Sequence, residues 1–374
     1  MGIESENRLM EEYKYPALFY DRAKLVNNVR ILSSKCGEHG IDIAGIIKAT
    51  NGAAATAEDF VAGGAKLIGS SRLEQLARAK AAGIRVPMLM IRVPMLSEVS
   101  EMLNIADISL NSEPVVLEAI NEAALKRGIT HKVILMADLG DLREGFFDME
   151  ELIETAVKVE NEMPGLVLAG VGTNLGCYGS VMPTEDKMSA LAELAEHVES
   201  EIGRELEYVS GGATSSLLGV YNGYMPGKIN MLRLGAGPII GPLEDVRVCY
   251  NLEAMDELDT PFSLEAEVIE LKVKASYPQG RLGVDAAGKK RKYFDRGMRR
   301  RALLAMGRAD YGDIDNLIPD RKGVELVGAS GDHTIIDVED IDGDIKIGDI
   351  VTFRLKYDAL LNLSASENVK KYEI

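Results

Sequence analysis

From residue 15 to about residue 245 the chain repeats one pattern, a short apolar run followed by a longer amphipathic stretch. The runs are ALFYD (17–21), IDIAGIIK (41–48), KLIGSS (66–71), VPMLMIR (86–92), ISLNS (108–112), KVILMADLG (132–140), LVLAGVGTNLG (166–176), YVSGGA (208–213) and MLRLGAG (231–237). Segments between them, such as SRLEQLARAKAAG and MSALAELAEHVESEIG, place apolar residues three and four apart and end at glycine, as helices do. Strands that alternate with helices imply a parallel sheet, because a parallel neighbour is reached only through a crossover. Eight or nine such units predict a closed (β/α)8 TIM-type barrel over residues 15–250, after an N-terminal extension at 1–14. An open doubly wound sheet is the other solution, but no G-x-G-x-x-G follows the first strand.

After about residue 255 the period changes from helical to two. PFSLEAEVIELKVKASY, VELVGASGDHTIIDVEDI and DIKIGDIVTFRLKY alternate apolar and polar residues, with acidic, glycine-containing turns between them. A second, mainly-β domain over 251–374 follows. Two domains also suit a chain of 374 residues, which exceeds the size at which one core usually stops growing.

Composition excludes several functions. With 42 basic and 59 acidic residues the net charge is −17, the opposite of a nucleic-acid-binding footprint. No window is apolar for the roughly 18 residues that a membrane span needs, and the acidic start MGIESENRLMEEYKYP is not a secretory signal. Cys36, Cys177 and Cys249 are odd in number and far apart, as in a reduced cytoplasm, where this chain is expected to reside. Four scattered histidines and no CxxC give no zinc pattern, so no metal is expected. The basic stretch KKRKYFDRGMRRRA (289–302) reads as a solvated loop and strand face.

A barrel of this type carries its chemistry at the C-terminal ends of its strands. Lys48 ends the run IDIAGIIK after five uncharged residues. Its stem is expected in an apolar strand, where burial lowers an ammonium's pKa and frees the amine to condense with an aldehyde. From the local pattern alone, a lysine that snorkels out of the barrel mouth explains the run equally.

The segment GIIKATNGAAATAEDFVAGGAKLIGSSRLEQLARAKAAGI resembles the lysine segment of alanine racemases and related fold-type III enzymes that use pyridoxal 5′-phosphate (PLP). Further likenesses follow in family order: ALFYDRAKLVNNV with its buried asparagines, MADLGDLREGF, YVSGGATSS, NMLRLGAG and KYDALLNLSASENVKKYE. The resemblance implies that Lys48 holds PLP as a Schiff base and that Arg143 braces the lysine and a cofactor oxygen. It implies that Arg233 faces the pyridine nitrogen, that Thr214, Ser215, Gly235 and Ala236 bind the phosphate, and that Tyr357 is the phosphate-binding tyrosine. Arginine stays protonated at any working pH, so it would leave that nitrogen without a proton.

Racemisation needs an acid/base group on each face of Cα, and Lys48 supplies the first. In alanine racemases the second is a tyrosine in a Gly-Tyr-Ala-Asp motif of the other subunit. The matching stretch here is AMGRADYGD, with Arg308 at the tyrosine position, and arginine is a poor base. His333, in VGASGDHTIIDV, is better matched because an imidazole titrates near neutrality. Tyr311 and Cys177 are the other candidates. GVGTNLGCYG, RVPMLSEV, ADISLNSE and GASGDH resemble the ornithine racemase branch more than alanine racemase proper. The expected activity is therefore racemisation of ornithine or another basic amino acid, with alanine or broad specificity as the alternative. From a different class, the alternative is a non-catalytic PLP carrier or regulator. Asn174, Cys177, Arg308 and Asp332 are expected near the substrate, with Asp138, Asp141, Asp310 and Asp313 as further acids for a cationic side chain. A homodimer with shared active sites, in which the β domain completes the partner's site, is expected from the same resemblance. A related decarboxylase would show a Cys-Glu-Ser-Gly-Asp-like loop, and an aldolase or dehydratase a metal-binding group; neither is found.

Overall fold

The computed structural model describes residues 13–242, 247, 251–284, 288, 290 and 292–374. Most of the expected N-terminal extension and Cys249 lie outside the described residues. The first strand is β1 (Ala17–Tyr20). Eight more follow: β2 (Asp42–Ile46), β3 (Leu67–Ser70), β4 (Met88–Met90), β5 (Ile108–Asn111), β6 (His131–Ala137), β7 (Leu166–Thr173), β8 (Tyr208–Ser210) and β9 (Met231–Leu234). These eight pair in chain order, all parallel, and β2 closes the ring against β9 with Asp42 opposite Met231 and Gly45 opposite Leu234. This is the closed barrel that the strand–helix rhythm predicts.

Side chains on a strand alternate between its two faces. Ala44, Ile46, Leu89, Ile134, Met136 and Met231 meet in one buried cluster. Continuing by two along β9, the same face carries Arg233, while Lys48 stands just past the end of β2, in the turn that follows it. The outer face is closed by the helices. Gly45 allows one of them, Ala54–Gly63, to lie very close, since a Cβ there would come within 2.5 Å of the Phe60 ring.

One expected barrel strand sits elsewhere. The rhythm predicts a barrel strand at 17–21, whereas β1 pairs antiparallel with β10 (Phe262–Ala275) and parallel with β16 (Lys370–Glu373). The reason is closure. A ring sealed by β2 and β9 has no free edge for a ninth strand, and an unpaired strand must find an edge elsewhere. By contacts the chain forms two compact units: Arg22–Asp259, and the residues up to Asp21 together with Thr260–Ile374.

The second unit is built on an antiparallel sheet. Its further strands are β11 (Met298–Leu304), β12 (Leu317–Pro319), β13 (Glu325–Ala329), β14 (Thr334–Asp337) and β15 (Ile350–Leu355), in the order β12-β15-β10-β11-β14-β13. The described part of the basic stretch meets acids on neighbouring segments. Arg299 pairs with Asp337 at 2.9 Å and with Asp340, Arg300 with Asp344, and Arg296 with Glu325. The stretch is thus an ion-paired strand face.

Within the barrel unit the helix Arg22–Gly37 carries a fully buried amide. Asn28 Nδ2 donates to the carbonyls of Pro238 (2.9 Å) and Asp259 (2.8 Å), and its Oδ1 accepts from the Asp259 N–H (2.8 Å). It fastens both ends of the segment that follows β9. Asn28→Ala should lower stability by about 2 kcal/mol, because it removes three hydrogen bonds to backbone, one of them fully buried. A urea denaturation midpoint lowered at unchanged slope would confirm this; an unchanged midpoint would refute it.

Candidate active site

The strand ends of the barrel bring together residues that are far apart in sequence. Lys48 opens a single 3-10 turn, Lys48–Thr50, directly after β2. The turn is held by Thr50 Oγ1 on the Ile47 carbonyl (3.1 Å) and ends at Asn51, which takes a left-handed φ of 50°. The Lys48 side chain is half-buried. Burial depresses its pKa, Cys177 and Glu144 oppose that, and Arg143 and Arg233 reinforce it. A depressed ammonium is the state from which an amine can act as nucleophile or base.

Arg233 projects from β9 into the same mouth and is only 5% exposed. Its guanidinium donates to Ser210 Oγ, to the Thr173 carbonyl at 2.8 Å and to Asn174 Oδ1 at 3.5 Å. Burial lowers its pKa to about 10, which still leaves it cationic at neutral pH. The Asn174 Nδ2 is buried and has no hydrogen-bond partner among the described residues.

Two loops form one rim of the mouth. After β6, Asp138 Oδ1 accepts from the N–H groups of Gly140 (2.9 Å) and Leu142 (3.0 Å). Gly145 closes the turn at φ 135°, where a Cβ would lie 2.4 Å from the Asp138 nitrogen. Asp141, 1% exposed, reaches across to the loop after β7 and accepts four backbone N–H groups, from Gly176 (3.0 Å), Cys177 (3.2 Å), Tyr178 (3.0 Å) and Val181 (3.2 Å). Burial works to raise its pKa, but the four donors outweigh burial and hold it below the usual carboxylate range. Between these anchors Arg143 donates through Nε and Nη2 to Glu144. Glu144 first, and Cys177 after it, keep Arg143 more firmly protonated than usual, against its own burial.

Next along the barrel the loop after β8 meets the start of the short helix Ala236–Ile240. The Gly237 N–H donates to Thr214 Oγ1 (3.1 Å), which leaves that hydroxyl's own proton to give away. Ser215 Oγ donates to the Leu175 carbonyl at 2.8 Å. A Cβ on Gly237 would come within 2.9 Å of Thr214 Cγ2, and one on Gly235 within 3.1 Å of Ile46 Cβ. Glycine therefore lets backbone amides, the natural ligands of a phosphate, come close here.

Lys48, Arg143, Asn174, Cys177, Thr214, Ser215, Arg233, Gly235 and Ala236 thus all lie in the barrel unit, at or after the C-terminal ends of strands. The remaining predicted residues lie in the second unit. Tyr311 does not fit the part of a base. It is fully buried, its hydroxyl is 2.6 Å from Thr334 Oγ1, and burial pushes its pKa up to about 12. His333 and Asp332 are exposed in the turn between β13 and β14. The Arg308 N–H donates to the Ser330 carbonyl in that same turn at 2.9 Å. Tyr357, half-buried, opens the helix Tyr357–Ala365.

Four of the five predicted acids are already engaged with backbone. Asp138 and Asp141 build the rim, Asp310 accepts from the Gly307 N–H (2.9 Å) and Asp313 from the Asp315 N–H (3.1 Å). Glu144 and Ser210 are the site residues that sequence reasoning missed. Glu144 is simply the next residue after Arg143, and no spacing rule marks such a pair.

The sequence model of the alanine racemase N-terminal domain matches residues 20–238. The chain belongs to the alanine racemase family. It is 37% identical over 360 residues to the ornithine racemase of Acetoanaerobium sticklandii, covering 96% of this chain and 99% of that one. It is 38% identical over 358 residues to the lysine racemase of Thermotoga maritima, covering 96% and 98%. In fold it is similar to the alanine racemase of Streptomyces lavendulae (TM-score 0.74, 18% identity, 96% of this chain and 98% of that one). The alanine racemase of Clostridium difficile 630 is equally similar (TM-score 0.74, 17% identity, 97% and 96%). Enzymes of the alanine racemase family generally use PLP.

The Asp141 clamp has a pH signature. Its folded pKa is depressed, so its stabilisation is complete above the unfolded value near 4 and is lost as pH falls through the folded value. Asp141→Asn should be less stable than wild type at pH 7, with a gap that narrows as pH drops below about 4. Denaturation midpoints measured across that range check it; a gap constant with pH would refute it.

Proposed function

We propose that the chain is a PLP-dependent racemase of basic amino acids, ornithine or lysine, with Lys48 as the cofactor lysine and first acid/base group. The observation that carries the reading is the half-buried Lys48 amine, depressed by burial, next to the buried, cationic Arg233 in the mouth of a closed barrel. The residues fit the cofactor. Lys48 would hold its aldehyde and Arg233 would face the ring nitrogen. Arg143 would face a ring oxygen, and Thr214, Ser215 and the backbone of Gly235 and Ala236 would hold the phosphate. The orphaned Asn174 amide marks a place for a further acceptor. Bound there, PLP would supply the electron sink that makes the α-proton of an amino acid removable.

The protein's own groups then divide the work. Lys48 Nζ takes and returns the proton at Cα on one face. Arg233 holds a fixed positive charge that cannot give up its proton at working pH, and Arg143 orients the anionic end of the reactants. For the second face, His333 is the group of choice. It is exposed, and Tyr311 is enclosed. Asp332 shares its turn, an acid available to a cationic side chain, and the Arg308 N–H is bonded to that turn. Cys177 remains a third candidate, on the barrel side. Tyr357 would add to the phosphate contacts.

His333, Arg308, Asp332 and Tyr357 serve a site through the second unit of a partner copy, in a cytoplasmic homodimer. The barrel rim supports this: Leu142 (61%), Phe147 (72%) and Tyr178 (72%) expose apolar side chains around the mouth, as surfaces that meet a partner do. Among the described residues no helix is long and apolar enough to cross a membrane, and no cluster of three or more His, Cys, Asp or Glu is placed to hold a metal ion.

The reading is tested by incubating the PLP-loaded protein with L-ornithine, L-lysine and L-alanine and following optical rotation. Rotation should decay to zero for the basic substrates fastest, Lys48→Ala should abolish the decay, and borohydride should fix a pyridoxyl group on Lys48. A label on another lysine overturns the site, and alanine as the best substrate overturns the specificity. His333→Asn should slow solvent-deuterium exchange at Cα for one enantiomer about 100-fold more than for the other, the size of a lost general base. Equal slowing of both in a folded protein would remove His333 from the role.

A further inference from the structure

The barrel mouth contains three cations, Lys48, Arg143 and Arg233, and Arg143 is held by a carboxylate. Glu144 accepts from both Nε and Nη2 of Arg143, a side-on grip that fixes the plane of the guanidinium as well as its charge. The pair sits on a loop with little freedom. Asp138 binds the N–H groups on its entry side, Asp141 pins it to the loop after β7, and Gly145 closes it with a φ of 135° that other residues rarely adopt. The Glu144 side chain is only 19% exposed, so solvent screens it less than a surface acid. Asp138 and Asp141 cannot take over its part, because their oxygens already receive backbone donors.

Resting on the racemase reading above, we propose that Glu144 is a positioning residue of the site: by gripping Arg143 it fixes that guanidinium and cancels its charge, so that Lys48 Nζ works beside one net cation instead of two. Among the charged and titratable groups that act on Lys48 are Cys177 from the loop after β7, Arg143 and Glu144 from the loop after β6, and Arg233 from β9. Arg233 is a cation without a titratable proton near neutrality, and Cys177 is neutral unless its thiol ionises. Glu144 is therefore the group in this set whose standing negative charge favours a proton on Lys48 Nζ. Removing that charge leaves two arginines facing the lysine, and the proton is held less tightly. The consequence for catalysis is a narrower pH range in which Lys48 can return a proton to Cα.

The test is a pH titration of the visible absorption of the PLP-loaded protein without substrate, which reads the protonation of Lys48 Nζ directly and needs no turnover. Glu144→Gln should bind PLP and shift the midpoint down by about one pH unit, as expected for a lost unit charge several ångströms away in a medium of effective dielectric near 20. Glu144→Asp, which restores the charge, should titrate close to wild type. The double variant Arg143→Gln/Glu144→Gln removes both charges of the pair and should bring the midpoint back toward wild type. An unmoved midpoint in Glu144→Gln, or a double variant shifted as far as the single one, overturns the proposal. If Glu144→Gln does not fold, the double variant and Glu144→Asp decide between the same outcomes. Wild-type protein that shows no visible band with PLP would instead sink the cofactor reading itself, so the two failures are distinguishable.

Discussion

Closure of the barrel between β2 and β9 is the constraint on which the site depends. Asp42 to Gly45 pair with Met231 to Leu234, so Arg233 stands opposite Ala44 in the closing strand pair, and Lys48 opens the turn that directly follows β2. The register of two neighbouring strands sets Arg233, and the short turn after β2 sets Lys48, at one mouth. Two positive groups at the end of an apolar column are costly to desolvate, and the pKa values of both respond in the direction that burial dictates. Burial lowers Lys48 toward the range where an amine reacts, while Arg233 starts so high that it stays charged. The same environment thus shifts both groups downward but leaves only Arg233 firmly charged by its high starting value.

The remaining parts of the mouth make this arrangement tolerable. Arg233 is fed by neutral acceptors, Ser210 Oγ, the Thr173 carbonyl and Asn174 Oδ1, so its charge is solvated without being cancelled. Arg143 is cancelled by Glu144. The rim that carries Arg143 is not a free loop, because a buried carboxylate with four N–H donors joins it to the next loop along the barrel. Charge is compensated where the loop is near solvent and left uncompensated where the strand is buried.

Much of this was legible in the sequence because it follows from period and order. Eight apolar runs and their helices are the eight barrel units. Lys48, Arg143, Thr214 and Arg233 fall at or after strand ends because the family's motifs sit at strand ends. The failures have physical causes. ALFYD has the composition of a barrel strand, but composition does not say which sheet offers a free edge, and β1 is buried between β10 and β16. Tyr311 lies three residues from the expected base position, yet burial of its ring and its bond to Thr334 fix it in the core, which linear spacing does not reveal. Acids read as a lining for a cationic substrate turned out to bind backbone N–H groups, since a carboxylate near a turn finds those donors first.

The acids that remain available narrow the specificity argument. The chain carries 59 acidic residues and a net charge of −17, so a general attraction for a basic substrate exists without any particular contact. Long-range attraction speeds encounter but does not choose between ornithine, lysine and alanine once the α-amino group is engaged. Discrimination needs a carboxylate that the fold has not already used. In the barrel mouth Glu144 is held by Arg143, and Asp138 and Asp141 hold the rim. Asp313 is exposed but accepts the Asp315 N–H, whereas Asp332 is exposed in the same turn as His333. A substrate's side-chain ammonium and the second acid/base group would then be served by one turn, so that recognising a basic side chain and presenting a base to Cα are a single structural requirement.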